Sequence, residues 1–309
     1  MADQLAEELV AAFDALFGGD PTVRAAHAKG TCVRGTFEAT PEARALTRAP
    51  HMQGAPVRTT VRFSNGSGDL KASDAGREPR GMAVKFHLDE RRSTDIVSIN
   101  HPVFIVRTPE EVVEFMRLRV PDPLTGQLDF PALAAFVGAR PESQHAAQLL
   151  LGARPLQSFL RTEFFAIHAF RFVAADDAAR FGRYRWEPSL GVSSLTPEEA
   201  TARGDDYLRD DLLARLADGP ASFTLHIILA GNGDDPDDPT AEWPPGREEI
   251  VAGRLVVTGP VADHENDCET FVFDPTRLCE GIEPSADKIL AARPRAYAVS
   301  SKRRIRSRR

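Results

Sequence analysis

The stretch Gly281–Tyr297 reads GIEPSADKILAARPRAY and has the pattern of a loop that leads into a helix. Ser285 is a good N-cap residue, so the helix is predicted to start there. Arg293 and Tyr297 are four residues apart, and on a helix they share one face, where the guanidinium can reach the phenol oxygen. Pro294 lies inside this turn and is expected to bend or tighten it.

The Arg293–Tyr297 pair has two interpretations. A nearby cation favours the ionised form of a phenol, and a phenolate is one of the known axial ligands of haem iron. An arginine and a tyrosine at this spacing are, however, more often an ordinary part of a helix surface. The rest of the chain decides between a haem ligand and a surface pair.

The composition is that of an ordinary globular protein that is long enough to bury a large core. The chain has 309 residues, of which 42% are apolar and 27% are charged, and its net charge is -7. This charge argues against a nucleic-acid partner, although the basic tail Lys302–Arg309 is either a solvated end or an anion-binding one. No apolar run approaches the roughly 18 residues of a membrane helix, so no membrane association is expected.

The cysteines and the N-terminal residues indicate a cytoplasmic protein. Cys32, Cys268 and Cys279 are an odd number without a CxxC spacing. This pattern is typical of a reducing compartment and predicts neither a disulfide framework nor a zinc site. Asp3 and Glu7 lie where an export signal would be basic, so no signal peptide is expected.

Apolar alternation predicts strands through the middle of the chain, and helical spacing predicts helices around them. This distribution favours an α+β fold with an antiparallel sheet, of which a closed barrel is one form. The predicted strands are 33–37, 57–64, 82–88, 95–99, 103–106, 165–171, 183–186, 223–229 and 250–257. The predicted helices are 2–17, one that starts at Pro109, 129–160 and 197–218.

Two early segments carry polar residues that fit either a structural or a functional role. His27 lies beside alanines, and a lone histidine of this kind is more often structural than catalytic. Arg62 and Ser64 share one face of the predicted strand 57–64. They form the polar face of an edge strand, or else an arginine for an anionic group beside a hydroxyl that orients a neighbour.

Taken in order, these segments resemble the haem catalase superfamily over residues 20–107 and 164–304, and only thinly over 117–160. The order and separation of the motifs are specific, although each motif alone is weak. The resemblance implies an α+β fold built on a catalase-like antiparallel β-barrel of about eight strands with surrounding helices. The matching motifs are Arg24 with His27-Ala28-Lys29-Gly30, Val61-Arg62-Phe63-Ser64, Arg80-Gly81-Met82-Ala83-Val84-Lys85-Phe86, Asp95-Ile96-Val97, Pro102-Val103-Phe104, Phe273-Asp274-Pro275, Gly281–Ser285, Asp287-Lys288 and Arg293 with Tyr297.

The resemblance also implies a haem b cofactor and gives the polar residues roles around it. Tyr297 is the expected iron ligand, with Arg293 beside its phenol. Arg24, Arg62 and Arg304 are similar to the arginines that hold the haem propionates in the family, and a guanidinium suits a carboxylate. Arg304 would thereby give the basic tail an anion-binding function.

On the other face of the haem, the resemblance implies an acid–base histidine. His27 would take the proton from a peroxide and return it to the leaving oxygen. Ser64 resembles the hydroxyl that fixes the orientation of that imidazole, and Phe104 is expected to help line the pocket.

Two positions depart from the family pattern. Ile99 falls where the family has a distal asparagine, and Asn100 comes one residue later, so that in a strand it points to the opposite face. Val112 falls where the family has a distal phenylalanine, which leaves a more open pocket. We therefore expect a haem peroxidase that reduces organic hydroperoxides and hydrogen peroxide with small organic electron donors, through a ferryl intermediate and with weak or no catalase activity.

Two other functions remain as alternatives to the peroxidase. A fatty-acid hydroperoxide isomerase, like the catalase-like allene oxide synthases, needs no reductant. A low-turnover haem-binding or sensing protein needs no distal base such as His27.

The chain is expected to be one haem-binding catalase-core domain. It would comprise an N-terminal helix (1–19), a barrel with helical insertions (20–275), and the haem-ligand helix with its basic tail (276–309). The C-terminal helical domain of full catalases and their NADPH site are expected to be absent. Because that domain helps to tie catalase tetramers together, its expected absence predicts a monomer or homodimer.

Overall fold

An antiparallel β-sheet forms the centre of the computed structural model, which describes residues 2–307. Met1 and the last two arginines of the basic tail, Arg308 and Arg309, lie outside the described residues. The strands are β1 (Gly30–Ala39), β2 (Val57–Asn65), β3 (Arg80–His87), β4 (Ser93–Ile99), β5 (Phe164–Phe165), β6 (Phe170–Val173), β7 (Ala179–Pro188), β8 (Ala221–Leu229), β9 (Glu249–Pro260) and β10 (Ile282–Pro284).

The sheet curls until two of its strands meet. Its order is β10-β6-β7-β5-β4-β3-β2-β1-β9-β8, and β7 also pairs with β8. The extra pairing closes a ring of eight strands, β7-β5-β4-β3-β2-β1-β9-β8, and leaves β6 and β10 as an extension beyond β7. Large apolar side chains with no solvent exposure fill the core, among them Phe37, Phe63, Trp186 and Phe223. The prediction of an antiparallel barrel of about eight strands with surrounding helices is confirmed.

Helices surround the barrel. They are α1 (Ala2–Phe17), α2 (Pro41–Leu46), α3 (Pro109–Leu118), α4 (Phe130–Gly138), α5 (Pro141–Gly152), α6 (Pro197–Ala202), α7 (Tyr207–Asp218) and α8 (Lys288–Ser307). Helices α1, α3 and α8 pack against one another and, with side chains of α4 and α5, build a second, smaller core that buries Leu9, Val113 and Ile289. None of the helices in the described part of the chain has both the length and the apolar character of a membrane span.

Two local predictions are wrong. Residues 103–106 form no strand, because the Phe104 amide donates to the Pro239 carbonyl oxygen of a distant loop at 2.8 Å. Helix α8 is capped by Asp287 rather than by Ser285, since the Asp287 carboxylate accepts hydrogen bonds from two first-turn amides. The helix continues through Pro294, as expected for a proline that bends or tightens a turn without ending it.

The expectation that no disulfide forms is also wrong. Cys32 of β1 is bonded to Cys268, which lies in a short π-helical turn, Glu265–Glu269. The fold brings their Cα atoms to 5.7 Å, a separation that a disulfide spans, although 236 residues lie between them in sequence. Cys279 remains a free thiol. The bond removes the cysteine argument for a reducing compartment, and the cytoplasmic location stays a prediction.

Candidate active site

One cavity of about 350 Å³ lies between the barrel and helices α1, α3 and α8. Its wall is largely apolar, which suits a flat hydrophobic ligand with a few fixed polar contacts. The structure brings all the site residues predicted from sequence into this wall, namely Arg24, His27, Arg62, Ser64, Phe104, Arg293, Tyr297 and Arg304.

Helix α8 presents Tyr297 and Arg293 as a hydrogen-bonded pair. The Arg293 Nε donates to the Tyr297 phenol oxygen at 2.9 Å, and the Nη2 of the same guanidinium donates to it as well. This contact is the i, i+4 geometry that the sequence predicts. Two donors from a cation on one phenol oxygen stabilise negative charge there, as an anionic metal ligand requires.

A buried histidine and aspartate hold Arg293 in place, and the sequence did not reveal them. The Arg293 Nη1 lies 2.8 Å from His168 Nε2, and His168 Nδ1 lies 2.6 Å from the Asp287 carboxylate. Since a guanidinium only donates, His168 Nε2 must accept, and the imidazole proton is on Nδ1. Burial lowers the pKa of His168, with Asp287 opposing the shift, so the ring is neutral. The only sequence signal was Asp287 within the matched motif; nothing local marked His168.

Beside another part of the wall, the charges of Arg24, Arg62 and Arg304 act on one another and on Glu269, and we call these four residues the arginine cluster. Arg24 forms an ion pair with Glu269, and Arg62 Nη2 lies 3.6 Å from the same carboxylate. Burial, followed by the neighbouring Arg24, lowers the pKa of Arg62 to about 9. The cluster therefore carries more positive than negative charge in a buried setting.

The burial of Arg304, and its missing hydrogen-bond partner among the described residues, show whether the cavity residues suit haem. Its side chain is 6% exposed and lines the cavity, yet it forms no hydrogen bond or ion pair with another residue of the range 2–307. Burial first, and then Arg24, lowers its pKa to about 10, and Glu269 only partly opposes the shift. A buried guanidinium without a hydrogen-bonded anion is costly, and a ligand carboxylate would supply that anion. An apolar cavity, a phenol oxygen supported by a cation and an unpaired arginine together match the needs of haem.

His27 sits in a strained backbone conformation at the start of the barrel. Its φ of 55° is in the left-handed region, which costs a non-glycine residue about 1–3 kcal/mol. Backbone hydrogen bonds with the Gly66 and Ser67 carbonyl oxygens hold the segment, and Arg62 donates to the His27 carbonyl oxygen at 2.8 Å. Strain maintained by this many contacts is typical of a functional residue.

Ser64 and Gly81 fix the His27 imidazole. The Ser64 hydroxyl lies 3.0 Å from His27 Nδ1, and a Cβ on Gly81 would come within 2.9 Å of that same nitrogen. Only a glycine leaves room for the ring at this point of β3. When Nδ1 donates to Ser64, Nε2 is left with a lone pair that can accept a proton.

The environment of His27 keeps the imidazole neutral. The ring touches the cavity but lies deep in the protein, and burial, with Arg62 as the next cause, lowers its pKa to about 3. The unfolded chain binds this proton near the ordinary value of 6.5. Unfolding therefore takes up a proton between these two values, and acid favours the unfolded chain.

We expect His27→Gln to reduce the acid sensitivity of the haem-free protein. Between about pH 6.5 and about pH 3, the wild-type free energy of unfolding should fall more steeply, by up to about 1.4 kcal/mol per pH unit. Urea unfolding at pH 7, 6 and 5 measures the difference, with His145→Gln on exposed helix α5 as the control. Parallel curves for wild type and His27→Gln would contradict the shift.

The two residues that depart from the family pattern, Ile99 and Val112, both line the cavity. Asn100 is absent from its wall, because its side-chain oxygen accepts from the Arg80 amide at 2.7 Å. No described amide side chain takes the position that Ile99 fills.

Comparisons with known proteins agree with this geometry. The sequence model of the family described as Catalase matches residues 13–308. A catalase-related peroxidase of Mycolicibacterium paratuberculosis is 39% identical over 93% of this chain and 90% of its own length. A catalase-related peroxidase of Synechococcus elongatus is 34% identical over 97% of this chain and 88% of its own length.

Solved structures show the same fold. A fungal catalase superposes with a TM-score of 0.83 at 25% identity, over 92% of this chain and 59% of that one. Catalase A from Saccharomyces cerevisiae gives 0.82 at 26% identity, over 92% and 61%. The chain thus spans about three fifths of these catalases.

Proposed function

The chain belongs to the catalase family, and from this premise we propose that it is a haem b peroxidase that reduces organic hydroperoxides and hydrogen peroxide with small organic electron donors. It is an oxidoreductase that acts on peroxide, as its relatives named catalase-related peroxidase indicate. Weak or no catalase activity is part of the proposal. The observation that carries it is Ile99 in the cavity wall, with Asn100 held away on the Arg80 backbone.

Haem, when bound, would supply the iron that accepts the peroxide and passes oxidising equivalents to the donor. In this proposal Tyr297 binds the iron through its phenol oxygen. Arg293 stabilises negative charge on that oxygen, and the buried His168–Asp287 pair aims the guanidinium. The propionates would bind at the arginine cluster, where Arg304 forms no hydrogen bond or ion pair with another of the described residues.

His27 is the proposed acid–base residue. Its neutral imidazole accepts the hydroperoxide proton at Nε2 and returns it to the leaving oxygen, while Ser64 holds Nδ1. Proton transfer by a positioned side chain typically contributes about 10²–10⁴-fold to a rate. Phe104 and Val112 shape the apolar wall beside this group.

Ile99 sets the balance between reduction and disproportionation. Disproportionation requires a second hydrogen peroxide molecule, whose hydroxyl groups need a hydrogen-bonding partner. The Ile99 side chain offers none and favours the alkyl part of an organic hydroperoxide. We further propose that the protein is a cytoplasmic monomer or homodimer.

The test is to mix haem-loaded protein with cumene hydroperoxide and with hydrogen peroxide, with and without guaiacol, while oxygen release is recorded. We expect rapid guaiacol oxidation with either peroxide and little oxygen. Ile99→Asn should raise oxygen release from hydrogen peroxide, because the amide supplies the missing partner.

Other results would identify the rival functions. Vigorous oxygen release by the wild type would contradict the role of Ile99. Conversion of a fatty-acid hydroperoxide into an epoxide without guaiacol oxidation would identify an isomerase. Inertness toward both peroxides would leave a haem-binding or sensing protein.

A further inference from the structure

Arg119 is a half-buried arginine in the cavity wall that the proposed haem chemistry does not use. It directly follows α3, and Val112, Met116 and Arg119 follow one another at i, i+4 and i+7 along the wall. Seven helical residues span about 10 Å. Leu9 and Phe13 of α1 contribute apolar surface to the same wall.

Arg119 lies apart from the arginine cluster. Its guanidinium packs on side chains of α3, whereas Arg24 and Arg62 of the cluster pair with Glu269. The charged group that acts on Arg119 is Glu78, which is not a member of the cluster. Arg119 is therefore a cation of the cavity wall outside the arginine cluster.

Within residues 2–307, Arg119 forms no ion pair. Its guanidinium contacts the Met116 sulfur at 3.8 Å and lies 5.6 Å from the centre of the Phe115 ring. Burial lowers its pKa, and Glu78 only partly opposes this shift. The ion pair of Glu78 is with Arg80, at 3.8 Å, and its carboxylate acts on Arg119 only at longer range. A further anion would offset the desolvation of Arg119.

We propose that Arg119 binds the carboxylate of the substrate, and that the preferred substrate is a hydroperoxide of a long-chain carboxylic acid. The acid group pairs with Arg119, the alkyl chain lies along Met116 and Val112, and the hydroperoxide reaches His27. The proposal rests on the peroxidase function above and names the substrate class of that site. An arginine is suited to this task because its planar donors bind a carboxylate at two points.

The kinetic test compares linoleic acid hydroperoxide with its methyl ester, which has the same chain and hydroperoxide but carries an uncharged COOCH₃ group in place of the carboxylate. For the wild type we expect kcat/KM to favour the acid by about 10- to 100-fold, as a charged hydrogen bond provides. In Arg119→Met the acid-to-ester ratio should fall to about one, with the ester rate as the reference within each protein. The matched control is Arg117→Met in α3, which is 60% exposed and does not line this cavity; it should keep the wild-type ratio.

A binding measurement separates this proposal from the peroxidase function. Linoleate and methyl linoleate, which carry no peroxide, are titrated into haem-loaded protein and followed by calorimetry. We expect linoleate to bind at least about tenfold more tightly, and Arg119→Met to abolish the difference, even if turnover is absent. Equal affinities in the wild type, or a preference that survives Arg119→Met, would overturn the proposal. Peroxidase turnover with an acid-to-ester ratio near one would overturn it and leave the general function intact.

Discussion

Tyr297→Phe will abolish stable haem loading. The substitution removes one oxygen atom and keeps the ring, so the packing of α8 is preserved while the proposed iron ligand is lost. The loss of a residue that merely supports a metal ligand weakens metal binding by about 10- to 100-fold, and losing the ligand itself should cost more. The two donors that Arg293 aims at the phenol oxygen would also lose their acceptor.

The measurement is the haem content of purified protein after reconstitution with excess haem, from the ratio of Soret to protein absorbance. Tyr184→Phe is the matched control, since Tyr184 is buried in the barrel core and does not line the cavity. We expect wild-type haem content in the control and little haem in Tyr297→Phe. Equal haem content in Tyr297→Phe and wild type would refute the assignment of the ligand.

Replacing His27 will leave haem in place but remove most of the reactivity toward peroxide. In His27→Ala the observed rate constant for the reaction with cumene hydroperoxide should fall by about 10²–10⁴-fold, because no base remains to move the proton. Haem content should stay near the wild-type value, since Tyr297 and the arginine cluster are unchanged.

A second variant is needed, because the positive φ of His27 is itself sensitive to the substituted residue. Alanine is disfavoured at a φ of 55°, whereas asparagine tolerates the left-handed region. His27→Asn therefore keeps the local conformation but cannot act as a base, and it should show the same loss of rate. Full reactivity of His27→Asn with peroxide would contradict the acid–base role, and a defect confined to His27→Ala would indicate a purely structural one.

Alternating patterns made the barrel predictable, but long-range contacts stayed hidden. Strand 57–64 shows strict alternation in the sequence, and the structure has β2 at Val57–Asn65. Segment 103–106 is continuously apolar, yet the Phe104 amide donates to the Pro239 carbonyl oxygen and the Ile105 carbonyl oxygen accepts from Ser143, so no neighbouring strand pairs with it. Apolar composition reports burial, whereas the hydrogen-bond partner depends on the tertiary fold.

The site was predictable where motifs could be matched in order, as for His27 and Tyr297. His168 escaped notice, because its partners Asp287 and Arg293 are more than a hundred residues away and only the fold unites them. The Cys32–Cys268 bond escaped for the same reason. Arg119 carries no local signal either, since a helix-terminal arginine is usually solvated.

The two faces of the cavity come from segments that are far apart in the chain. His27 is translated before the first strand of the sheet, and Tyr297 follows only after the last one. A ribosome adds about 5–20 residues per second, so the early strands leave it many seconds before α8 is made. If Tyr297 is the iron ligand, haem can enter only after α8 has been released. The haem-free protein is then an obligatory stage in the life of every molecule, and the supply of haem controls how much of the protein becomes active enzyme.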